Sequence, residues 1–369
     1  MNAFGDVYKG RRILLTGDTG FKGAWLAHWL MQLGAEVHGL ALPPENDSTL
    51  YVQTGLAGKI DHVDQDIRDA DGLRAQVERV KPELILHLAA QPLVRESYRD
   101  PLTTWQTNVL GTANLLDAVR TLQRPCTVLI ITTDKVYQNR EWAYGYRDVD
   151  PLGGHDPYSA SKAGAELVTA SYRDSFFPLD RLEEHGCPVA SARAGNVIGP
   201  GDWAEDRIVP DAIRALAADQ AIPVRNPHSQ RPWQHVLEPL SGYLLLGQRL
   251  LSDDAAKVCS GWNFGPSYDA LKPVQALVER IVKAWGRGNW SDQSDPDAVH
   301  EARLLWLNID RAVFELGWTP VWRFETTIQR TVEGYKRLLE AGKDADAASG
   351  YLAEEIEAYI ASARAAEML

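Results

Sequence analysis

Short apolar runs alternate with longer stretches of helical periodicity along the first half of the chain. Residues 12–16, 36–42, 60–63, 84–89, 128–132 and 189–192 read as strands. Residues 21–33, 71–80, 102–122 and 158–177 read as helices. Strands this apolar, separated by helices of this length, predict a parallel, doubly wound α/β sheet. From about Asn196 the pattern breaks into loops punctuated by Gly and Pro, such as Gly199-Pro200-Gly201-Asp202 and Arg231-Pro232-Trp233. No flexible linker marks the change, so returning segments that build a smaller C-terminal α/β lobe fit better than a separate module. The expected division is 1–197 for the sheet domain, with a return segment at about 234–265. Residues 198–233 and 266–350 would form the smaller substrate lobe, and 351–369 a C-terminal helix. The tail from Ala347 is rich in Ala and Glu and reads as a solvated helix.

Composition narrows the class. At 369 residues and 45% apolar, the chain can bury a large core and fill two lobes. Lys and Arg number 38 against 50 Asp and Glu, a net charge of −12. That argues against a general nucleic-acid surface while leaving room for a local basic pocket. Nothing at the N-terminus resembles a signal peptide, and no apolar run approaches the ~20 residues of a membrane span. A cytoplasmic enzyme with no membrane partner is the expectation. Cys126, Cys187 and Cys259 are too widely spaced for a metal site and read as buried apolar residues.

The candidate chemistry begins after the first strand. Gly17, Gly20 and Gly23 lie in Thr16-Gly17-Asp18-Thr19-Gly20-Phe21-Lys22-Gly23, between a strand and a helix. Glycines so spaced allow a tight turn and close approach of backbone to a pyrophosphate at the helix N-terminus, which is the Rossmann fingerprint. The second strand ends without the Asp or Glu that would bind a ribose 2′-hydroxyl, and without an arginine for a 2′-phosphate. The sequence is therefore neutral between NAD and NADP. Asp66, followed by Ile67, could accept from an adenine amino group or cap a helix. Ala89-Ala90-Gln91 offers small residues beside a cofactor.

A second cluster lies further on. Thr133-Asp134-Lys135 follows an apolar strand, and Tyr158 and Lys162 share a helix face at i and i+4. A phenol beside an ammonium is expected to have its pKa lowered and to act as a base. The extra hydroxyl, carboxyl and amine exceed what simple hydride transfer needs, and point to elimination as well as redox chemistry.

The glycine turn, the Asn108-Val109-x-Gly111-Thr112 helix start and Tyr158-x-x-x-Lys162 together resemble the extended short-chain dehydrogenase/reductase family. Within it, the CDP-glucose 4,6-dehydratase branch looks closest. The matching stretches include Ala89-Ala90-Gln91-Pro92-Leu93-Val94-Arg95, Arg193-Ala194-Gly195-Asn196-Val197-Ile198-Gly199 and Arg231-Pro232-Trp233-Gln234-His235-Val236-Leu237-Glu238-Pro239. The resemblance covers nearly the whole chain and implies a bound, recycled NAD. It also implies a nucleotide-diphospho-glucose substrate and a 4-keto-6-deoxy product, used in deoxysugars of surface polysaccharide. Asp18 departs from the branch pattern, which has His there; an acid faces phosphates unfavourably unless it turns away or caps the helix.

By that resemblance Tyr158 deprotonates the sugar C4 hydroxyl as hydride leaves C4, with Lys162 tuning the phenol and Thr133 bonding the same oxygen. Lys135 then removes the C5 proton, Asp134 protonates the departing C6 hydroxyl, and hydride returns to C6. The chemistry needs Lys135 depressed by burial and neighbouring cations, and Asp134 kept protonated. Other 4,6-dehydratases resemble this site but carry Glu where Lys135 stands. Cofactor contacts are expected from Gly17, Thr19, Gly20, Phe21, Lys22, Gly23, Asp66, Ile67, Ala89, Ala90, Gln91, Tyr158 and Lys162. For the substrate, Asn196, Arg207, Arg225 and Arg231 are candidates at the diphosphate, and Trp203 or Trp233 at the base. His300-Glu301 could cover the pocket, and His235 reads as structural. An epimerase on the same scaffold, or a dinucleotide-binding sensor, are the alternatives. The family commonly dimerises through helices 102–122 and 158–177, so a homodimer or homotetramer is expected.

Overall fold

The computed structural model describes residues 3–294 and 304–369. His300 and Glu301 lie outside the described residues. Seven parallel strands form the central sheet. They are β1 (Arg12–Thr16), β2 (Glu36–Ala41), β3 (Asp61–Asp64), β4 (Leu84–His87), β5 (Thr127–Ile131), β6 (Val189–Arg193) and Gly261–Asn263. Their order is 3-2-1-4-5-6 with Gly261–Asn263 beyond β6. The order reverses between β1 and β4, and in such sheets ligands bind outside the carboxyl ends at that switch point.

Successive residues of one inner strand serve opposite cores, which is why the inner strands read as apolar runs, whereas the edge strand β3 is polar and only partly buried. Ile13 and Leu15 of β1 face Trp25 and Trp29 of α1 (Phe21–Gln32), whereas Leu14 faces Leu73, Val77 and Leu115. A third core, built on Val209, Ile213, Leu277, Val278 and Ile328, fills the smaller lobe. Its strands have only three residues each: Ile222–Val224 pairs with Trp290–Asp292, and Gln230–Pro232 with Leu271–Pro273.

Two sequence expectations need correction, and one strand went unread. The segment Asn108–Thr112 is not a helix start. It lies inside one continuous run, Pro101–Trp105 and Gly111–Thr121 flanking a π turn at Gln106–Leu110. Gly261–Asn263, a seventh strand, carries too little apolar sequence to announce itself. The C-terminal helix, Ala345–Ala365, is not solvated. It buries Tyr351, Leu352, Ile356, Tyr359 and Ile360, setting Tyr351 edge-on to Trp25 and Tyr359 edge-on to Trp29. The Tyr359 hydroxyl donates to the buried Glu238 carboxyl, 2.7 Å away, which also accepts from the amides of Val321 and Trp322. No helix among the described residues is long and apolar enough to cross a membrane. All three cysteines are buried and free.

Candidate active site

The glycine turn closes tightly over the end of β1. Gly17 adopts φ +79°, and a Cβ there would stand 2.8 Å from the Ala89 backbone nitrogen. A Cβ on Gly23 would meet the Gly17 carbonyl at 2.0 Å, so only glycine lets α1 pack this close. Gly20 caps α1 with no side chain on the first amides. A bare N-terminus on a 12-residue helix fits a pyrophosphate. Gly23→Ala should weaken dinucleotide binding at least about tenfold, or 1.4 kcal/mol, as read by NADH fluorescence titration. Thr19 ties the turn to the end of β2 by donating to the Leu42 carbonyl at 3.0 Å.

The other cofactor candidates surround this turn unevenly. Asp66 does not cap the following helix; Asp69 does, accepting from the Gly72 amide. The Asp66 carboxylate is instead gripped by the Arg68 guanidinium and amide. Ile67 is buried against Gly111. The Ala89 amide donates to Thr16 Oγ1, Ala90 follows it at the strand end, and the Gln91 amide donates to Asn108 Oδ1 at 2.8 Å. Asn108 also donates to Ser161 Oγ at 2.8 Å, so the π turn ties the end of β4 to the Tyr158 helix. Phe21 lies below Gly199, where a Cβ would come 3.1 Å from its ring. Lys22 points toward the reaction side, its ammonium 5.8 Å from the Tyr243 ring centre. Burial and then Arg207 pull its pKa down to about 8, against Asp134 and Asp202.

The structure brings the five catalytic candidates together. A capping box between Asp156 and Ser159, with Pro157 in the first turn, starts the helix Pro157–Ser175. That helix lines Tyr158, Lys162 and Glu166 along one face at intervals of four. Opposite, Thr133 caps the short turn Asp134–Val136 at the end of β5. Thr133 Oγ1 donates to Asp134 Oδ1 at 2.9 Å, and Asn196 Nδ2 to Asp134 Oδ2 at 3.0 Å. The fit is close: a Cβ on Gly195 would stand 1.9 Å from the Asp134 carboxyl carbon. Lys135 lays its ammonium 5.9 Å from the Tyr158 ring centre.

Burial governs the protonation states. It raises Asp134, with Lys135, Thr133 and Arg231 pulling the other way. It pushes Tyr158 up to about 12, opposed by a hydrogen bond with Thr133. The lowering expected of this phenol is thus absent in the free protein. Lys162 is itself pulled down to about 7 by burial and Lys22, and its ammonium donates to the Ile131 carbonyl at 3.3 Å. Desolvation is the largest cause of both shifts.

One buried group here escaped the sequence reading. Glu166 accepts from Thr132 Oγ1 at 2.5 Å, Ser191 Oγ at 2.7 Å and Arg193 Nη2 at 2.7 Å. Arg193 in turn donates to the Tyr137 hydroxyl and the Asp148 carbonyl, both at 2.7 Å. The signal was there in the i+4 spacing from Lys162 to Glu166.

The substrate candidates divide. Arg207 pairs with Asp202 at 2.8 Å and acts electrostatically on Tyr158; Arg231 acts on Asp134. Both border the cluster. Arg225 lies further out, paired with Asp206 at 2.7 Å. Asn196, expected at a diphosphate, has its side-chain amide committed to Asp134 and its backbone at φ +51°. Trp233 is not free to stack on a base: it is buried in the smaller lobe's core, its N–H held by the Lys272 carbonyl. Trp203 stands edge-on to Tyr335, 5.1 Å between centres. His235 is buried against Trp322.

Known proteins place this geometry. The family model described as GDP-mannose 4,6 dehydratase matches residues 14–331. The chain is 46% identical over 332 residues to the CDP-glucose 4,6-dehydratase of Salmonella typhimurium, covering 90% of this chain and 92% of that one. An epimerase from Methanothermobacter thermautotrophicus superposes with a TM-score of 0.75 at 20% identity, over 91% of this chain and 96% of its own. The dTDP-glucose 4,6-dehydratase of Streptomyces venezuelae, solved with NAD and TYD bound, also gives 0.75, at 24% identity over 88% of this chain and 97% of its own. Equal superposition on an epimerase and a dehydratase speaks to the fold alone. The family model and the 46% identity speak to descent, and this chain belongs to the GDP-mannose 4,6-dehydratase family within the extended short-chain dehydrogenase/reductases.

Proposed function

We propose that this protein is an NAD-dependent nucleotide-sugar 4,6-dehydratase that converts CDP-glucose to CDP-4-dehydro-6-deoxyglucose. The observation that carries this reading is the acid–base couple Asp134–Lys135 beside Tyr158. An epimerase needs Tyr158 and Lys162 but has no water to remove. The similarity to the Salmonella enzyme supports cytidine as the base.

The glycine turn would hold a nicotinamide cofactor, which would supply the hydride chemistry, taking hydride from C4 and returning it to C6. Tyr158 takes the proton of the C4 hydroxyl, and Thr133, which bonds both Tyr158 and Asp134, orients that oxygen. Lys162, one helical turn from Tyr158 along the same face, is placed to stabilise the anionic form of the phenol. With C4 a ketone, the C5 hydrogen is acidic and Lys135 takes it. Asp134, whose pKa burial raises, gives its proton to the C6 hydroxyl, which leaves as water. As hydride returns to C6, Lys135 gives a solvent-exchanged proton back to C5, and the proton Tyr158 took from the C4 hydroxyl replaces, through solvent, the one Asp134 gave up. The balance is the loss of one water, with no external oxidant. Arg207 and Arg231 border the cluster and suit the diphosphate. The same reading has the chain working as a homo-oligomer, supported by the exposed Leu102, Trp105, Leu110 and Leu167 on the two long helices.

Incubation with CDP-, UDP-, dTDP- and GDP-glucose in heavy water tests the proposal. The expected result is a 4-keto sugar absorbing in alkali, from CDP-glucose foremost, with solvent deuterium at C5 and the original C4 hydrogen at C6. Interconversion of C4 epimers without loss of water would overturn it. Asp134→Asn should slow product formation by about 10²–10⁴-fold. Single-turnover reduction of the cofactor, seen in its near-ultraviolet absorbance, should persist.

A further inference from the structure

The end of β2 carries no acid, yet the neighbouring strand brings one to the same edge. Asp18, the second residue of the glycine turn, is fully buried and crosses β2 at Gly39, where a Cβ would stand 2.3 Å from its Oδ2. That oxygen lies 2.7 Å from His62 Nδ1, while Oδ1 is buried with no hydrogen-bond partner among the described residues. The far side of the imidazole, Nε2, lies 3.1 Å from Asp64 Oδ1. Tyr51 covers the ring at 5.2 Å. Asp64 is the register partner of Ala41, the last residue of β2, and its side chain is 62% exposed.

In a sheet of this kind the adenosine ribose lies at the carboxyl end of β2, where a carboxylate accepts from the 2′-hydroxyl and repels a 2′-phosphate. Adjacent strands are about 4.8 Å apart, so an acid at the end of β3 is within one strand spacing of the usual position. Hydrogen bonding to Asp18, and then Asp64, raises the His62 pKa and favours the imidazolium. One imidazole between two carboxylates leaves the edge negative whichever form the ring takes. The buried pair also fixes the imidazole, and with it the direction of the Asp64 carboxylate. This resolves the position of Asp18, which turns away from the phosphate-binding amides instead of facing them.

We infer that Asp64, presented by the buried Asp18–His62 pair, reads the adenosine ribose and selects NAD against NADP. The inference rests on the dinucleotide reading above and deepens it. Its test is equilibrium titration of NADH and NADPH by fluorescence, with no sugar present, so dehydratase turnover plays no part. Wild type should favour NADH by about a hundredfold, and Asp64→Asn should reduce that ratio at least about tenfold. His62→Gln, which removes the strut but keeps Asp64, should give an intermediate ratio. Equal affinity of wild type for both cofactors, or a ratio untouched by Asp64→Asn, would overturn the inference while leaving the dehydratase reading intact. Binding of neither cofactor would overturn both.

Discussion

Tyr158→Phe should lower turnover by about 10²–10⁴-fold, the usual contribution of a positioned acid–base group. The protein should fold as before. Phenylalanine fills the same buried space, and Thr133 keeps its bond to Asp134, so no polar partner is orphaned. The effect should fall on kcat, measured with the sugar saturating. Burial pushes the phenol up to about 12, opposed first by its hydrogen bond with Thr133. A variant retaining a tenth or more of wild-type turnover, with unchanged melting, would remove Tyr158 from the chemistry.

Glu166→Ala should cost about 3–5 kcal/mol of stability, since it strands a buried guanidinium. Arg193 would keep Tyr137 and the Asp148 carbonyl but lose its counter-ion, and the hydroxyls of Thr132 and Ser191 would lose their acceptor. Denaturant midpoints at constant slope would measure the loss. Burial alone would raise the Glu166 pKa, but Arg193 and the two hydroxyls bring it below the ordinary glutamate range. A depressed carboxyl contributes stability above its unfolded value and loses it as pH falls through the folded one. Wild type should therefore lose part of its stability in acid, and Glu166→Gln should be less sensitive there. If Glu166→Ala melts within about 1 kcal/mol of wild type, Arg193 has found another partner.

The first half of the fold was legible because its strands, the edge strand β3 apart, are buried on both faces. Their apolar runs therefore needed no phase, and β1 matches its expected range residue for residue. The smaller lobe was not, because strands of three residues such as Gln230–Pro232 carry no periodicity. Thr133, Asp134, Lys135, Tyr158 and Lys162 could be gathered from spacing, since a strand end and a helix face are local features. Which neighbours each side chain meets is not local. Trp233 sits among polar turn residues in sequence, yet it plugs a core assembled from segments far along the chain. Asn196 looked free for a diphosphate until Asp134, more than sixty residues earlier, claimed its amide. Asp18 had the same ambiguity, settled only when β3 set His62 beside Gly39.

The C-terminal helix closes over α1 through Trp25–Tyr351 and Trp29–Tyr359, and so joins nearly opposite ends of the chain. During synthesis those two indoles lack their tyrosine partners until some three hundred more amino acids have been added. Until then that face of α1 stays incompletely covered, a patch that the arriving helix closes.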